Sequence, residues 1–320
     1  MLSFSRLKNL ALYAKNEFKT FYENFLPETI RRIDFGSLKG KRLIVLAHFD
    51  VDKQFDPAFI FLAEKMKQQL NAKLMVVSTN SDISKFEIDK LAGFVDCLVL
   101  RRNFGQDFGS WKTGLELIKQ FDDYRSITLM NDTVYGPFVS IQNFVEKIED
   151  QNQPVVGGMT DNFEITHHLQ SYFLIFNRTC VKSEWFQNFW KNYRKKHGRA
   201  QNIKGGEIAL SRQAIKNGIE LIPMFAYEKI KSFILLNKKP IEPWRERLNV
   251  ANVNPYHFFW KELIENFGFP FIKVELLKLN PSQIGNLNEY KEVVEKFTNH
   301  YPVSLIENHV NRLKSRERAQ

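Results

Sequence analysis

The sequence predicts an α/β protein built on a mixed, mostly parallel sheet flanked by helices, with a helix before it and a helical extension after it. Two observations predict this class. From Lys41 to Met224, short apolar runs alternate with longer segments of helical period, the pattern of successive βαβ units. Two of those runs also empty into polar clusters, Arg101 to Lys112 and Asn131 to Pro137, and ligands of open α/β sheets bind beyond the carboxyl ends of the strands.

The elements follow in order. Residues 1–40 form an amphipathic segment in which Leu7, Leu10, Ala14, Phe18, Phe21, Tyr22 and Phe25 recur at helical spacing beside Lys8, Lys15 and Lys19. Its aromatic stripe either packs on the main domain or lies on anionic lipid. Residues 41–228 carry the sheet. Strands are expected at Leu43 to Ala47, Leu74 to Val77, Val95 to Leu100, Ser126 to Met130, Val155 to Met159, Leu169 to Phe176 and Ile219 to Met224. Helices are expected at Pro57 to Leu70, Ser84 to Ala92, Phe108 to Phe121, Ser140 to Glu149, Ser183 to Lys196 and Glu207 to Asn217. Residues 229–320 read as a helical extension docked on the sheet, with Asn311 to Gln320 a frayed polar tail.

Composition narrows the function. Across 320 residues, 43% hydrophobic and 26% charged is ordinary for a globular protein, while 29 phenylalanines point to an aromatic interior or an apolar surface patch. A net charge of +10 favours anionic lipid or phosphorylated small molecules. Nucleic acid is set aside, because the cations are scattered and no binding motif is present. Cys97 and Cys180 sit in apolar stretches without metal or redox spacing and read as buried thiols of a reducing compartment. The lack of a long apolar run or signal pattern leads to the expectation of a cytoplasmic protein.

The chemistry is expected at the two clusters. Gly105 and Gly109 flank Asp107 before a helix, where backbone amides approach an anion closely, and Lys112, Arg101 and Arg102 are candidates to supply charge to a diphosphate. Asp132 ends a buried strand and needs a hydrogen bond, an ion pair or a cation to offset a desolvation cost of several kcal/mol, roughly. A divalent cation, Mg2+ or Mn2+, bridging to phosphate meets that need. Asn131 and Thr133 add neutral oxygen atoms. Candidates for taking a proton from an acceptor hydroxyl are Asp161, Glu164, His167, His168 and Glu207. Of the adjacent pair His167 and His168, one is expected to point inward along a strand. Trp185 and Trp190 read as core residues, and Trp111 as either core or sugar-stacking.

This order of parts resembles the rhamnan synthesis F family of polysaccharide glycosyltransferases. The resemblance is carried by Ala47-His48-Phe49-Asp50, by Arg102 to Lys112, by Leu129 to Pro137, by Gly158-Met159-Thr160-Asp161, by His168 to Phe173, by Asn254-Pro255 and by Gly268 to Lys273. It implies a GT-A-like, Rossmann-type fold, a nucleotide-diphosphate-sugar donor, often of rhamnose, and a lipid-linked saccharide acceptor of a surface polysaccharide such as O-antigen or capsule. On that template Asn131-Asp132-Thr133 stands where the metal-binding Asp-any-Asp motif is expected, with asparagine in place of the first acid. His48, Asp50 and Ser78 fall where the base is contacted. Asn103, Gly105, Asp107, Gly109 and Lys112 fall beside the diphosphate, and Glu207, Asp161 and His168 stand where the catalytic base is expected. The alternative expectation is a non-catalytic nucleotide-sugar or glycan-binding module on the same fold.

Overall fold

The computed structural model describes residues 4–28, 30–236, 248, 251–298 and 301–318. Eleven strands lie among them: β1 (Ile30–Asp34), β2 (Arg42–His48), β3 (Lys73–Ser78), β4 (Cys97–Arg101), β5 (Ser126–Asn131), β6 (Val134–Tyr135), β7 (Val155–Asn162), β8 (His168–Leu169), β9 (Phe173–Asn177), β10 (Glu220–Phe225) and β11 (Ile272–Lys273). The main sheet has the order β1-β4-β3-β2-β5-β9-β7-β10, with β8 added on β7. β2, β3, β4 and β5 run parallel, as do β7 and β10, while β1, β8 and β9 run against their neighbours. The predicted α/β class with a mostly parallel sheet is the one observed.

Side-chain alternation divides the core in two. Ile44 and Leu46 join a cluster on one face of the sheet, and Leu43, Val45 and Ala47 join a second cluster on the other. A strand buried on both faces reads as a continuous apolar run, which is why these strands stand out in the sequence. The first face is covered by helices Pro57–Leu70 and Gln142–Glu149 and by the C-terminal segments, the second by helices Gln106–Glu116, Glu184–Asn192 and Ala209–Lys216. Helix Pro57–Leu70 begins where its sequence says it should. Asp56 accepts from Ala58 N at 2.9 Å, Pro57 pre-sets the first turn, and Asn71 closes the helix in the left-handed conformation. Helix Gln106–Glu116 lies very close to the sheet because Gly114 has no Cβ; one built there would come within 2.8 Å of Val45 Cγ1.

Three expectations are corrected and one open alternative is narrowed. The run Leu169 to Phe176 is two strands, with Gln170, Ser171 and Tyr172 between them turned to polar contacts, among them Thr160 Oγ1 donating to the side-chain Oε1 of Gln170 at 2.7 Å. Glu207 does not start a helix; it sits inside a π-helical turn, Ile203–Ile208, between two α-helical stretches. Residues 311–318 are helical rather than frayed, as part of helix Val303–Arg318, and Arg312 is held by Asp50, Asp52 and Asp56. Finally, the N-terminal helix Phe4–Phe25 does not pack its aromatic stripe on the domain. It is tied down through polar groups: Thr20 Oγ1 accepts from His197 N at 2.9 Å, Asn24 Nδ2 donates to Lys195 O at 2.9 Å, and Glu23 pairs with Arg102.

Candidate active site

A cavity of about 1060 Å³ opens at the carboxyl ends of the parallel strands. Phe49 and Asp50 follow β2, Thr79 follows β3, Asn103 follows β4, Asn131 and Asp132 end β5, and Asn162 and Glu164 end β7; all line it. The strand order reverses between β2 and β5, and such a switch point is where two loops part to leave a crevice.

Two carboxylates share this crevice and repel each other. Asp132 Oδ2 accepts from Phe49 N at 2.8 Å, which links the loops after β2 and β5. Asp107 comes from the first turn of helix Gln106–Glu116, and its Oδ2 accepts from Asn131 Nδ2 at 2.7 Å, while Asn131 Oδ1 accepts from Thr133 Oγ1 at 2.6 Å. Among the described residues neither acid forms a salt bridge. Burial, with the added repulsion of Asp107 and Asp50, pushes the Asp132 carboxyl up to about 8. Burial, with the charge of Glu207, pushes Asp107 up to about 6.

Among the described residues four cations line the cavity, Arg199, Lys273, Lys278 and Arg316, and of these Lys273 is the one whose charge acts on Asp107. It is brought there by a pairing distant in sequence, β11 against β6, which sets Lys273 opposite Val134 just past the Asn131–Asp132 turn. Its ammonium lies 5.4 Å from the Tyr256 ring centre and 5.7 Å from that of Tyr172, and among the described residues it makes no hydrogen bond or ion pair. Burial lowers its pKa, and the charges of Glu207, Glu275 and Asp107 oppose that shift.

Glu207 and His168 form a third group. Glu207 Oε2 accepts from Ser171 N at 2.6 Å and Ser171 Oγ at 2.5 Å, and Oε1 lies 3.3 Å from His168 Nε2. Burial alone would raise the Glu207 carboxyl, but the His168 imidazole and the Ser171 donors more than offset it and hold it below the usual range. For His168 the balance is reversed. Burial opposes the imidazolium, and Glu207 with the Thr166 carbonyl at 2.7 Å raises its pKa nonetheless. His168 opens β8 and lines the cavity, whereas His167, in the bend before that strand, lies 3.2 Å from Asp161 Oδ2 and is outside the lining.

Several predicted site residues serve elsewhere. Lys112 donates to Trp190 O at 2.7 Å and Lys191 O at 3.0 Å, where it covers the end of helix Glu184–Asn192 instead of meeting a diphosphate. Arg101 is fully buried, with Nε donating to Glu28 at 2.8 Å, and Arg102 pairs with Glu23; neither lines the cavity. Gly105 and Gly109 also lie outside the lining. Gly105 adopts φ +85° at the helix start, and a Cβ on Gly109 would meet Phe104 O at 2.5 Å, so these glycines let loop and helix approach each other. Ser78 is buried beneath the cavity and bonds His48 Nδ1 at 2.9 Å. His48 itself lines it, pressed between Phe55 and Phe59, and burial pushes its pKa down to about 3. Asp161 is not in the lining: Oδ1 accepts from Tyr227 N at 2.7 Å at the start of helix Tyr227–Leu236. Trp111 is core, its Nε1 donating to Met130 O at 2.9 Å. Asp50 and Asn103 do line the cavity.

The donor set fits a hard divalent cation of the kind completed by substrate phosphate. Asp132 and Asp107 offer carboxylate oxygens outside any salt bridge, although no group of three acids, histidines or cysteines able to hold a metal alone occurs among the described residues.

Residues 74–319 match the family model of rhamnan synthesis protein F. The chain belongs to that family. Virulence protein VirA of Vibrio anguillarum is 30% identical over 62% of this chain and 67% of its own length. An uncharacterized protein, y4gN, of Sinorhizobium fredii is 26% identical over 53% of this chain, and the match spans only 45% of that relative. Among solved structures, a mannosyltransferase of Pyrobaculum calidifontis in complex with GDP-Man and Mn2+ shares 9% identity over 75% of this chain and 78% of its own, with a TM-score of 0.35.

Proposed function

We propose that the protein is a glycosyltransferase that moves a sugar, in keeping with its family rhamnose, from a nucleotide-diphosphate donor to a lipid-linked glycan in the synthesis of a bacterial surface polysaccharide. The observation that carries this reading is the meeting of Asp107 and Asp132 in one switch-point cavity, with the Lys273 ammonium in the same lining. In transfer, the bond from the anomeric carbon to the diphosphate oxygen breaks, a bond to the acceptor hydroxyl oxygen forms, and the hydroxyl proton must leave.

Charge builds on the departing diphosphate, and groups pre-aimed at developing charge give the largest share of such catalysis. Lys273 meets it directly. A divalent cation held by Asp132 and Asp107 would supply the remaining neutralisation. Asn131 keeps Asp107 oriented, and the nucleoside is assigned to the part of the lining that holds His48 and Asp50. Glu207, held ionised by Ser171 and His168, takes the acceptor proton as the anomeric carbon becomes cation-like. A lipid-linked acceptor places this work at the inner face of the plasma membrane.

The test is release of free nucleoside diphosphate from a panel of nucleotide sugars. Glu207→Gln is expected to lower kcat by about 10²–10⁴-fold with donor KM nearly unchanged. A second reading is favoured by Asn131 at the place of an acid: a nucleotide-sugar or glycan-binding module without turnover. Donor binding with no nucleotide release, in the wild type as in the variant, would establish that reading instead.

A further inference from the structure

The N-terminal helix is docked inside out. On its outward face Phe18 is 72% exposed, Phe21 62%, Tyr22 56% and Phe25 70%, at the i, i+3, i+4, i+7 spacing of one stripe. Phe21 and Phe25 pack against each other as tilted rings, with ring centres 4.8 Å apart. The opposite face holds the polar tethers Thr20, Glu23 and Asn24. An amphipathic helix of a globular protein does the reverse, since each large apolar side chain left in water forgoes about 1.5–3 kcal/mol of burial. Single exposed apolar residues are normal, but a contiguous aromatic patch on a helix marks a contact surface.

Charge identifies the contact. Lys15 and Lys19, both exposed, border the stripe, and Arg194 is exposed on the loop that the helix tethers at Lys195 and His197. The chain as a whole carries +10, so a second copy would meet like charge with like. We propose that the exposed aromatic face of helix Phe4–Phe25 seats on an anionic bilayer, its phenyl rings at the headgroup boundary and its lysines against the lipid phosphates.

The same tethers connect this face to the cavity. Arg102, paired with Glu23, precedes the cavity-lining Asn103, and the loop held by Thr20 and Asn24 leads to Arg199, Asn202 and Ile203 in the lining. A bilayer on the helix therefore fixes the height of the cavity above the membrane. Only the identity of what the membrane delivers, a lipid-linked saccharide, rests on the glycosyltransferase reading.

Co-sedimentation of the full chain with vesicles tests the proposal independently of any activity. Binding is expected to vesicles of equal parts phosphatidylcholine and phosphatidylglycerol, to weaken with salt, and to be much weaker on phosphatidylcholine alone. Phe18→Ser combined with Phe21→Ser and Phe25→Ser should abolish it while leaving the circular dichroism spectrum and donor hydrolysis unchanged. Lys15→Gln with Lys19→Gln should weaken it about thirty-fold, from about 1 kcal/mol per lysine. The proposal is overturned if the wild type ignores anionic vesicles, if the triple serine variant binds them as well as the wild type, or if light scattering shows a dimer that the serine variant dissociates and that does not bind vesicles.

Discussion

Asp132→Asn is expected to lower sugar transfer by at least about 10²-fold, the usual loss when one preorganised charge-stabilising group is removed from a site. The same substitution should make the ligand-free protein more stable in alkaline buffer. The Asp132 carboxyl is raised from an ordinary value of 3.8 to about 8 in the folded state. Between those values the native protein holds a proton that the unfolded chain has released, so stability is full below about pH 4 and falls as pH rises towards 8. Asparagine has no proton to lose and removes that slope. A divalent cation acts in the same sense by favouring the ionised form, so Mg2+ or Mn2+ should raise the melting temperature of the wild type more at pH 8 than at pH 6, and should not raise that of the variant. Thermal unfolding across pH, with and without the metal, measures both effects. Equal metal responses in the two proteins would remove Asp132 from the cation site.

Arg312→Ala is expected to cost about 3 kcal/mol of folding stability, the lower end for breaking a buried ion pair. The guanidinium Nη2 lies 2.5 Å from Asp50 Oδ2 and 3.1 Å from Asp56 Oδ2, and Nη1 lies 2.5 Å from Asp52 Oδ2. The three carboxyl side chains are only 5%, 9% and 11% exposed respectively, whereas Arg312 is 22% exposed. Removing it leaves three clustered negative charges with little water, and among the described residues Arg316 is the cation still paired with one of them, Asp52. Urea unfolding gives the loss directly. Adding Asp52→Asn to Arg312→Ala should recover part of it, because one repelling charge is then gone. Since Asp50 and Asp56 line the cavity, the single variant should also raise the donor KM.

The parts of this protein that were legible in the sequence are those whose physics is local. Leu43 to Ala47 and Leu74 to Val77 read as strands because both of their faces are buried, and Asp56-Pro57 announces a helix because the cap and its first turn are neighbours in the chain. The Asn131-Asp132 turn was visible because a strand end followed by an acid is itself a local signal. Its meeting with Asp107 followed from sheet topology, which βαβ order predicts.

What escaped the sequence was every role decided by a distant partner. Arg101, Arg102 and Lys112 have the right charge and the right neighbourhood for a diphosphate. Their side chains are nevertheless taken by Glu28, by Glu23 and by the end of helix Glu184–Asn192. Lys273 closes an apolar run, Phe269 to Ile272, that gives no hint of a ligand, and it reaches the site only because β11 pairs with β6. The polar residues 311–318 look solvated until the acids at positions 50, 52 and 56 are placed beside Arg312. The helical period of the N-terminal segment showed a stripe and could not show which side faces the domain, because that choice was made by Thr20, Glu23 and Asn24 finding partners on distant loops.

By itself, then, the sequence determined the α/β architecture, the family and the two loops that open at the strand ends, because periodicity, capping and turn chemistry act over a few residues. The tertiary structure alone decided which cation joins the acids in the cavity, which carboxylates remain outside any salt bridge and which helix face is left to solvent. Those are outcomes of long-range pairing and desolvation, in which a charge takes its role from whatever the fold brings to within a few ångströms of it.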